Sequence, residues 1–302
     1  MSAGVGLKSW GMLILLGIIW GASFMGVSFA LTGFGPLWVA ALRIAIAAAI
    51  LMIAAYMSGV GLPDRSTEKG RRIWVHAVGF AIFSNALPFS LLSWAQQYVT
   101  SGFAGITMAV VPLFVLPLAH VVLREFMTPR KIVGFLMGFA GVLVLIGPAA
   151  LGGVGGLSEN MARLACVGAS ACYAIGAIIT RTAPSGPLLS YSAAGLSLGA
   201  VLTIAMALLY EGAPPAAPPA AWAGVLYLGL FPTALATLLL VRVINDAGPT
   251  FLALVNYQVP VWAVILGMLF LGEALPGSFL TALVLILGGL ALSQARAWRF
   301  RP

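Results

Sequence analysis

Along the chain, apolar residues run in continuous blocks separated by short clusters of glycine, proline and charge. The blocks do not alternate with period two, as barrel strands would, so they are read as helices. A helix crosses a ~30 Å hydrocarbon layer with about 20 residues. Cutting at the polar breaks predicts ten such helices, at 9–30, 36–57, 74–92, 100–122, 130–147, 162–180, 188–209, 221–241, 249–271 and 276–293. The breaks carry turn chemistry: Thr32-Gly33-Phe34-Gly35-Pro36, Gly152-Gly153-Val154-Gly155-Gly156, and Pro214-Pro215 with Pro218-Pro219. The first block follows Lys8, is long for a signal-peptide core and lacks a clear cleavage pattern, so it is read as an uncleaved helix.

Composition makes lipid the solvent. Of 302 residues, 62% are hydrophobic and 7% charged, whereas soluble domains carry about 25% charged residues. Glycine, at 36 residues, suits helices that approach closely in a medium where apolar burial does not drive association. The net charge of +8 would suit a nucleic-acid partner, but the basic residues form no stripe on a soluble face, and no nucleic-acid role is expected. They lie in alternate loops and termini instead: Lys8; Arg65, Lys69, Arg71 and Arg72; Arg124, Arg130 and Lys131; Arg181; Arg242; and Arg296, Arg299 and Arg301. The opposite loops hold only Arg163, and Arg43 falls within a span. The positive-inside rule then places both termini in the cytoplasm, which requires an even number of spans.

The two halves repeat. Pro112, Glu125 and Gly141 recur 148 residues later as Pro260, Glu273 and Gly289, and the same offset pairs Phe103 with Phe251, Val111 with Val259 and Leu123 with Leu271. Leu87-Pro88 matches Phe231-Pro232 at a nearby offset of 144. Residues 1–150 and 155–302 thus form two five-helix units. An odd helix count reverses the second relative to the first, a plan that recurs in secondary transporters with solute bound between the repeats.

This pattern resembles the drug/metabolite transporter superfamily, specifically its EamA-type members. The stretches that carry the resemblance are Trp20-Gly21-Ala22-Ser23-Phe24, Leu42-Arg43, and the Pro112-to-Glu125 hairpin with its repeat at Pro260 and Glu273. The resemblance implies an all-α membrane protein of ten helices packed as a basket around a central cavity. It also implies export of amino acids or other small metabolites. Members that move nucleotide sugars, lipid-linked sugars or drugs leave a flippase or multidrug exporter as the alternative.

Polar groups deep in a bilayer cost free energy and so mark candidate sites. Trp20, Asn85 and Tyr173 stand about 16 Å into their predicted helices and Asn256 about 11 Å. All four are candidates to line the cavity, the aromatics stacking on the solute and the amides bonding its polar ends. Bonding between neighbouring helices is the alternative role for the amides. Gln258 is a further candidate, but it lies roughly 200° around the helix from Asn256, so one of the two is expected to bond helices together. Arg43 either attracts a carboxylate or phosphate or serves the scaffold, and the family resemblance favours the scaffold. Pro88, Pro112, Pro232 and Pro260 fall mid-span, where a lost backbone bond provides a bend or a gating point. His76 and His120 are read as interfacial, and Glu125 and Glu273 as hairpin or capping residues.

Neither catalysis nor a cofactor is expected. The chain has no HExxH, no GxSxG and no membrane carboxylate pair. Cys166 and Cys172 match no metal or redox spacing and are read as packing residues. All seven acidic residues fall outside the predicted spans, which points to facilitated diffusion or exchange rather than carboxylate-mediated proton coupling. The expected partners are a small-molecule solute and the lipid bilayer, with a homodimer allowed. The alanine-rich, short-looped chain resembles a multi-pass protein of a bacterial inner membrane. Duplicated halves favour a carrier over a channel.

Overall fold

The computed structural model describes residues 6–147, 156–274 and 276–294. The break at 152–155 and the basic residues Arg296, Arg299 and Arg301 lie outside them. Every regular element among the described residues is helical. Among the described residues, nine helices are long and apolar enough to cross a membrane. They are α1 (Leu7–Ala30), α2 (Pro36–Met57), α3 (Glu68–Ala95), α4 (Ser101–Leu123), α5 (Pro129–Ile146), α6 (Leu157–Thr182), α7 (Leu188–Tyr210), α8 (Pro219–Ala247) and α10 (Gly277–Gln294). Between the last two lies α9 (Val255–Leu271), a shorter apolar helix of 17 residues.

Local chemistry sets the ends. Pro36, Pro129 and Pro219 open their helices, where a missing N–H removes no bond. Thr67, Thr100 and Thr128 cap theirs by accepting from the N–H of Gly70, Phe103 and Lys131. Three helices run further than their hydropathy indicated. Helix α3 starts at Glu68, α6 at Leu157, and α8 ends at Ala247. Lys69, Arg71, Arg72 and Arg242 therefore ride on helix ends and not in loops, as do the acidic Glu68, Glu159 and Asp246. The ion pairs Glu159–Arg163 and Arg242–Asp246, each one turn apart, help extend polar turns past the apolar blocks. The ninth predicted span is interrupted. A short helix, Pro249–Leu252, precedes α9.

The hairpins after α4 and α9 share one geometry. Arg124 and Gly272 both adopt the left-handed region, at φ 55° and 64°. Glu125 N donates to Ala119 O, and Glu273 N to Gly267 O, at 3.2 Å each. Each bond reaches back six residues, one more than the closure of a Schellman ending, and the left-handed residue stops the helix.

Helix α1 packs on α8 and α9, α6 packs on α3 and α4, α2 lies on α7, and α5 lies on α10. The α5–α10 seam depends on glycine. A Cβ on Gly289 would strike the Gly134 carbonyl, and a Cβ on Gly141 would meet the Ala282 carbonyl at 3.0 Å. Side chains thus give way to backbone-to-backbone contact, the form of helix association that lipid favours. The outer surface is the reverse of a soluble one: Leu7, Met57, Phe126 and Leu209 each expose 80% or more of their area. An apolar exterior of this kind needs lipid to cover it.

Gly289→Leu is expected to lower stability by about 2 kcal/mol through overpacking at the seam, read as a fall in melting temperature of the detergent-solubilised protein. Gly11→Ala, where an added Cβ meets nothing within 4 Å, should leave it unchanged or slightly raised. Equal behaviour of the two variants would show that the seam is not tightly packed.

Candidate functional site

Two helices lose their regular α pitch at the centre of the bundle. Helix α3 widens to π turns over Ala81–Ala86, and α8 does so over Gly229–Leu235. Such turns free backbone groups and recur at functional sites. In α3, Asn85 Nδ2 donates to Phe80 O at 3.1 Å. In α8, Thr233 Oγ1 donates to Leu228 O at 2.8 Å. Both bonds reach back five residues, and both partners in α8 stand 148 residues after those in α3. The sequence match of Pro88 with Pro232 at 144 is therefore corrected. Pro232 lies inside its wide segment and occupies the place of Ser84, whereas Pro88 follows its segment. A proline is tolerated at either position because wide turns already lack some α-type bonds.

Beside these segments lies a cavity of about 340 Å³ bounded by α1, α2, α3, α4, α6, α8 and α9. Five of the six residues expected to line it do so: Trp20, Arg43, Asn85, Tyr173 and Asn256. Gln258 does not. Its side chain lies against Gly17 of α1, with Oε1 2.8 Å from where a Cβ would stand, because two residues of helix turn it away from Asn256. Asn256 reaches the cavity from the start of α9 and not from deep within a span; its Nδ2 donates to Ala253 O at 3.1 Å. Of the four mid-span prolines only Pro232 lines the cavity. Pro112 follows a tight 3-10 turn at Met108–Val110, α9 continues through Pro260, and Pro117 is a further proline inside α4.

The sequence reading missed Phe89, Ser93, Gln96 and Thr233, all of which line the cavity. Thr233 was findable as the residue 148 after Asn85. Gln96 lay beyond the predicted end of the third helix at 92, so its depth was not counted.

Arg43 is 5% exposed. Its Nε donates to Thr233 Oγ1 at 3.2 Å, and its guanidinium carbon sits 3.7 Å from the centre of the Phe89 ring, a cation–π contact. No other hydrogen bond to the guanidinium is present among the described residues, so four of its five N–H donors have no protein partner. Trp20 Nε1 donates to Pro232 O at 3.1 Å, which ties α1 to the wide segment of α8. The Ser93 hydroxyl and both polar atoms of Gln96 are buried without partners.

Two carboxylates cap helices at one end of the bundle. Glu211 accepts from the N–H of Leu37 at 2.8 Å and of Trp38 at 3.1 Å, at the start of α2. Glu273 accepts from Ser101 N at 2.7 Å and Gly102 N at 2.9 Å, at the start of α4. The negative charges meet the positive ends of those helices. At the other end Glu125 pairs with Arg181. His120 Nδ1 contacts the Glu125 carbonyl, and His76 Nδ1 the Arg72 carbonyl, each at 2.8 Å. In the loop before α3, the Ser66 hydroxyl and N–H hold the Asp64 carboxyl below its ordinary pKa.

The model of the EamA-like transporter family matches twice, over residues 8–147 and 160–294. An uncharacterized transporter of Archaeoglobus fulgidus is 31% identical over 147 residues, 47% of this chain and 49% of that protein. The chain thus spans about half of that relative's length. A probable terminal-alkyne amino-acid exporter of Streptantibioticus cattleyicolor is 27% identical, covering 94% of this chain and 92% of its own. The uncharacterized inner membrane transporter YedA of Escherichia coli is 29% identical over 89% of this chain and 85% of its own. A crystal structure at 21% identity superposes with a TM-score of 0.67 over 97% of this chain and 99% of that one, so the fold is shared.

Glu273→Ala removes a charge-assisted acceptor from two helix N-terminal donors. It is expected to cost about 2 kcal/mol, measured by thermal unfolding, and Glu211→Ala a similar amount. A loss below about 0.5 kcal/mol for both would reduce them to solvated surface carboxylates.

Proposed function

The chain belongs to the EamA-like transporter family, and on that premise we propose that it carries a small metabolite through its central cavity by alternating access. As a family member it is a multi-pass membrane transporter and not an enzyme. The solute in this reading is an amino acid or related compound moved toward export, consistent with the exporter name of one relative. The inner membrane is its place, in keeping with the name of another.

The observation that carries the reading is a cavity wall built in pairs. Ser84, Asn85, Phe89 and Leu92 of α3 stand 148 residues before Pro232, Thr233, Thr237 and Leu240 of α8, and all eight line the cavity. Met108 and Val111 of α4 stand at the same interval before Asn256 and Val259 of α9, and these four line it too. The paired hairpins after α4 and α9 and the paired glycine contacts of the α5–α10 seam share that interval. These pairs support two like units, at 1–150 and 155–302; five helices in each would invert the second, and the bias of basic residues favours both termini in the cytoplasm. The doubled family match supports the same division. Two like halves running in opposite directions can exchange conformations, which turns an inward-facing cavity outward.

On this topology Trp20, Tyr173 and Asn85 meet the solute near the midplane, and Asn256 meets it from the start of α9. The wide turns of α3 and α8 are the bending points, and the Glu211 and Glu273 caps hold the external ends of α2 and α4. No carboxylate lines the cavity among the described residues, so facilitated diffusion or exchange is the favoured energetics.

Opposite-ended cysteines test the reading. In a Cys166→Ala, Cys172→Ala background, Ser93→Cys should react with an impermeant maleimide from the external side and Leu240→Cys from the cytoplasmic side. Conditions or solutes that raise one reactivity should lower the other. If both sites rise together the protein forms a channel, and if neither can be reached from its expected side the topology is wrong.

A further inference from the structure

We infer that the cavity selects an organic monoanion, with a carboxylate held by Arg43 and an uncharged, largely apolar body. Zwitterions and cations of the same shape are discriminated against. The inference rests on the carrier reading of the same cavity and narrows its solute from free amino acids to related compounds whose amine is acylated or absent.

A guanidinium taken out of water loses several kcal/mol of solvation unless a partner replaces it. Buried arginines are therefore expected to sit against carboxylates or to extend toward the membrane surface. Arg43 does neither. Its ring contact with Phe89 and its single bond to Thr233 fix it in the wall, 5% exposed, with its remaining donors unpartnered. Thr233 is itself committed, since its hydroxyl proton goes to Leu228 O. The planar fork of an arginine matches a carboxylate through two parallel bonds, and an incoming solute is the available source of one.

The same wall lacks a place for a cation. No Asp or Glu lines it among the described residues. The carbonyls that the wide turns would offer to an ammonium already accept from the protein: Phe80 O from Asn85, Leu228 O from Thr233, and Pro232 O from Trp20. In the same α8 segment Thr233 O accepts from Thr237, and outside the wide turns Trp20 O accepts from Ser23. An ammonium would meet the Arg43 charge with no anion between them. Beyond Phe89, about 10 Å further along α3 at 1.5 Å per residue, Gln96 offers unpartnered donors and an acceptor, as Ser93 does between them. That end suits a neutral polar group such as an amide or hydroxyl. Phe24, Leu92, Val111 and Val259 make the wall between apolar.

The test holds the solute body constant and varies its charge. The purified chain in proteoliposomes is assayed for counterflow with N-acetylphenylalanine and 3-phenylpropanoate (monoanions), phenylalanine (zwitterion) and phenylalaninamide (cation). The monoanions should exchange with half-saturation at least tenfold below phenylalanine and phenylalaninamide. Arg43→Gln should compress that preference to under threefold, and Arg43→Lys should keep part of it. The wild-type series needs no variant to fold, so it decides alone if Arg43→Gln is unstable. Phenylalanine or phenylalaninamide exchanging as well as the monoanions overturns the charge assignment and leaves the carrier reading standing. So does a preference that survives Arg43→Gln. Absence of saturable counterflow across the whole series overturns both.

Discussion

A helix inside lipid has no water to bond a carbonyl that its own ladder releases, so every departure from α geometry must carry its own partner. This constraint governs the centre of the molecule. The wide turns of α3 and α8 persist because Asn85 and Thr233 each return a proton to the carbonyl five residues behind. Trp20 adds a third donor from α1. These are the residues whose polarity stands out against an apolar chain, and their backbone bonds explain why they lie at mid-depth. On the proposed function, the solute would meet what remains of each group: an amide oxygen, an indole face, a threonine oxygen shared with Arg43. Scaffold and proposed binding site thus share side chains at different atoms, and substituting one would disturb both.

Most of the fold was legible because lipid imposes a single length on each span and punctuates it with turn residues. The second helix, Pro36–Met57, falls where its apolar block does, since proline and glycine mark both ends. Errors gather where polar turns extend a helix past the hydrocarbon layer. Helix α3 begins in Glu68-Lys69-Gly70, whose charge reads as loop although Thr67 caps it. The break before Val255 was illegible for the opposite reason, because the block from 249 to 271 carries no charge and no glycine–proline turn cluster at that point, and backbone interruption leaves no trace in hydropathy.

The site was legible as a depth but not as a direction. Counting residues placed Trp20, Asn85 and Tyr173 at the centre, and each lines the cavity. Rotation about a helix separated Gln258 from Asn256, yet which of them faces inward depends on what α1 presents, namely the bare backbone of Gly17. Arg43 shows the same limit. Its sequence position allowed either attraction of a carboxylate or phosphate or a scaffold role, and only the placement of Phe89 and Thr233 around it shows a charge with donors to spare. The cavity is also less symmetric than the chain. α3 and α8 contribute matched residues, as do α4 and α9, but α7 contributes none against Arg43 of α2. Among the described residues, the one formal charge in the cavity wall, Arg43, sits off the repeat.

The α5–α10 seam has a consequence for how such a molecule could arise. On the proposed topology, Gly141 faces the Ala282 carbonyl while Gly289, its counterpart, faces the carbonyl of Gly134, the counterpart of Ala282. A patch therefore meets its own repeat, the isologous form of contact found in two-fold dimers. A single five-helix precursor inserted in both directions would already present this self-matching surface. Tethering the two copies in one polypeptide would replace a chance encounter between separate subunits with a permanent one. Once tethered, the copies could diverge, and a charge on one side only could become fixed.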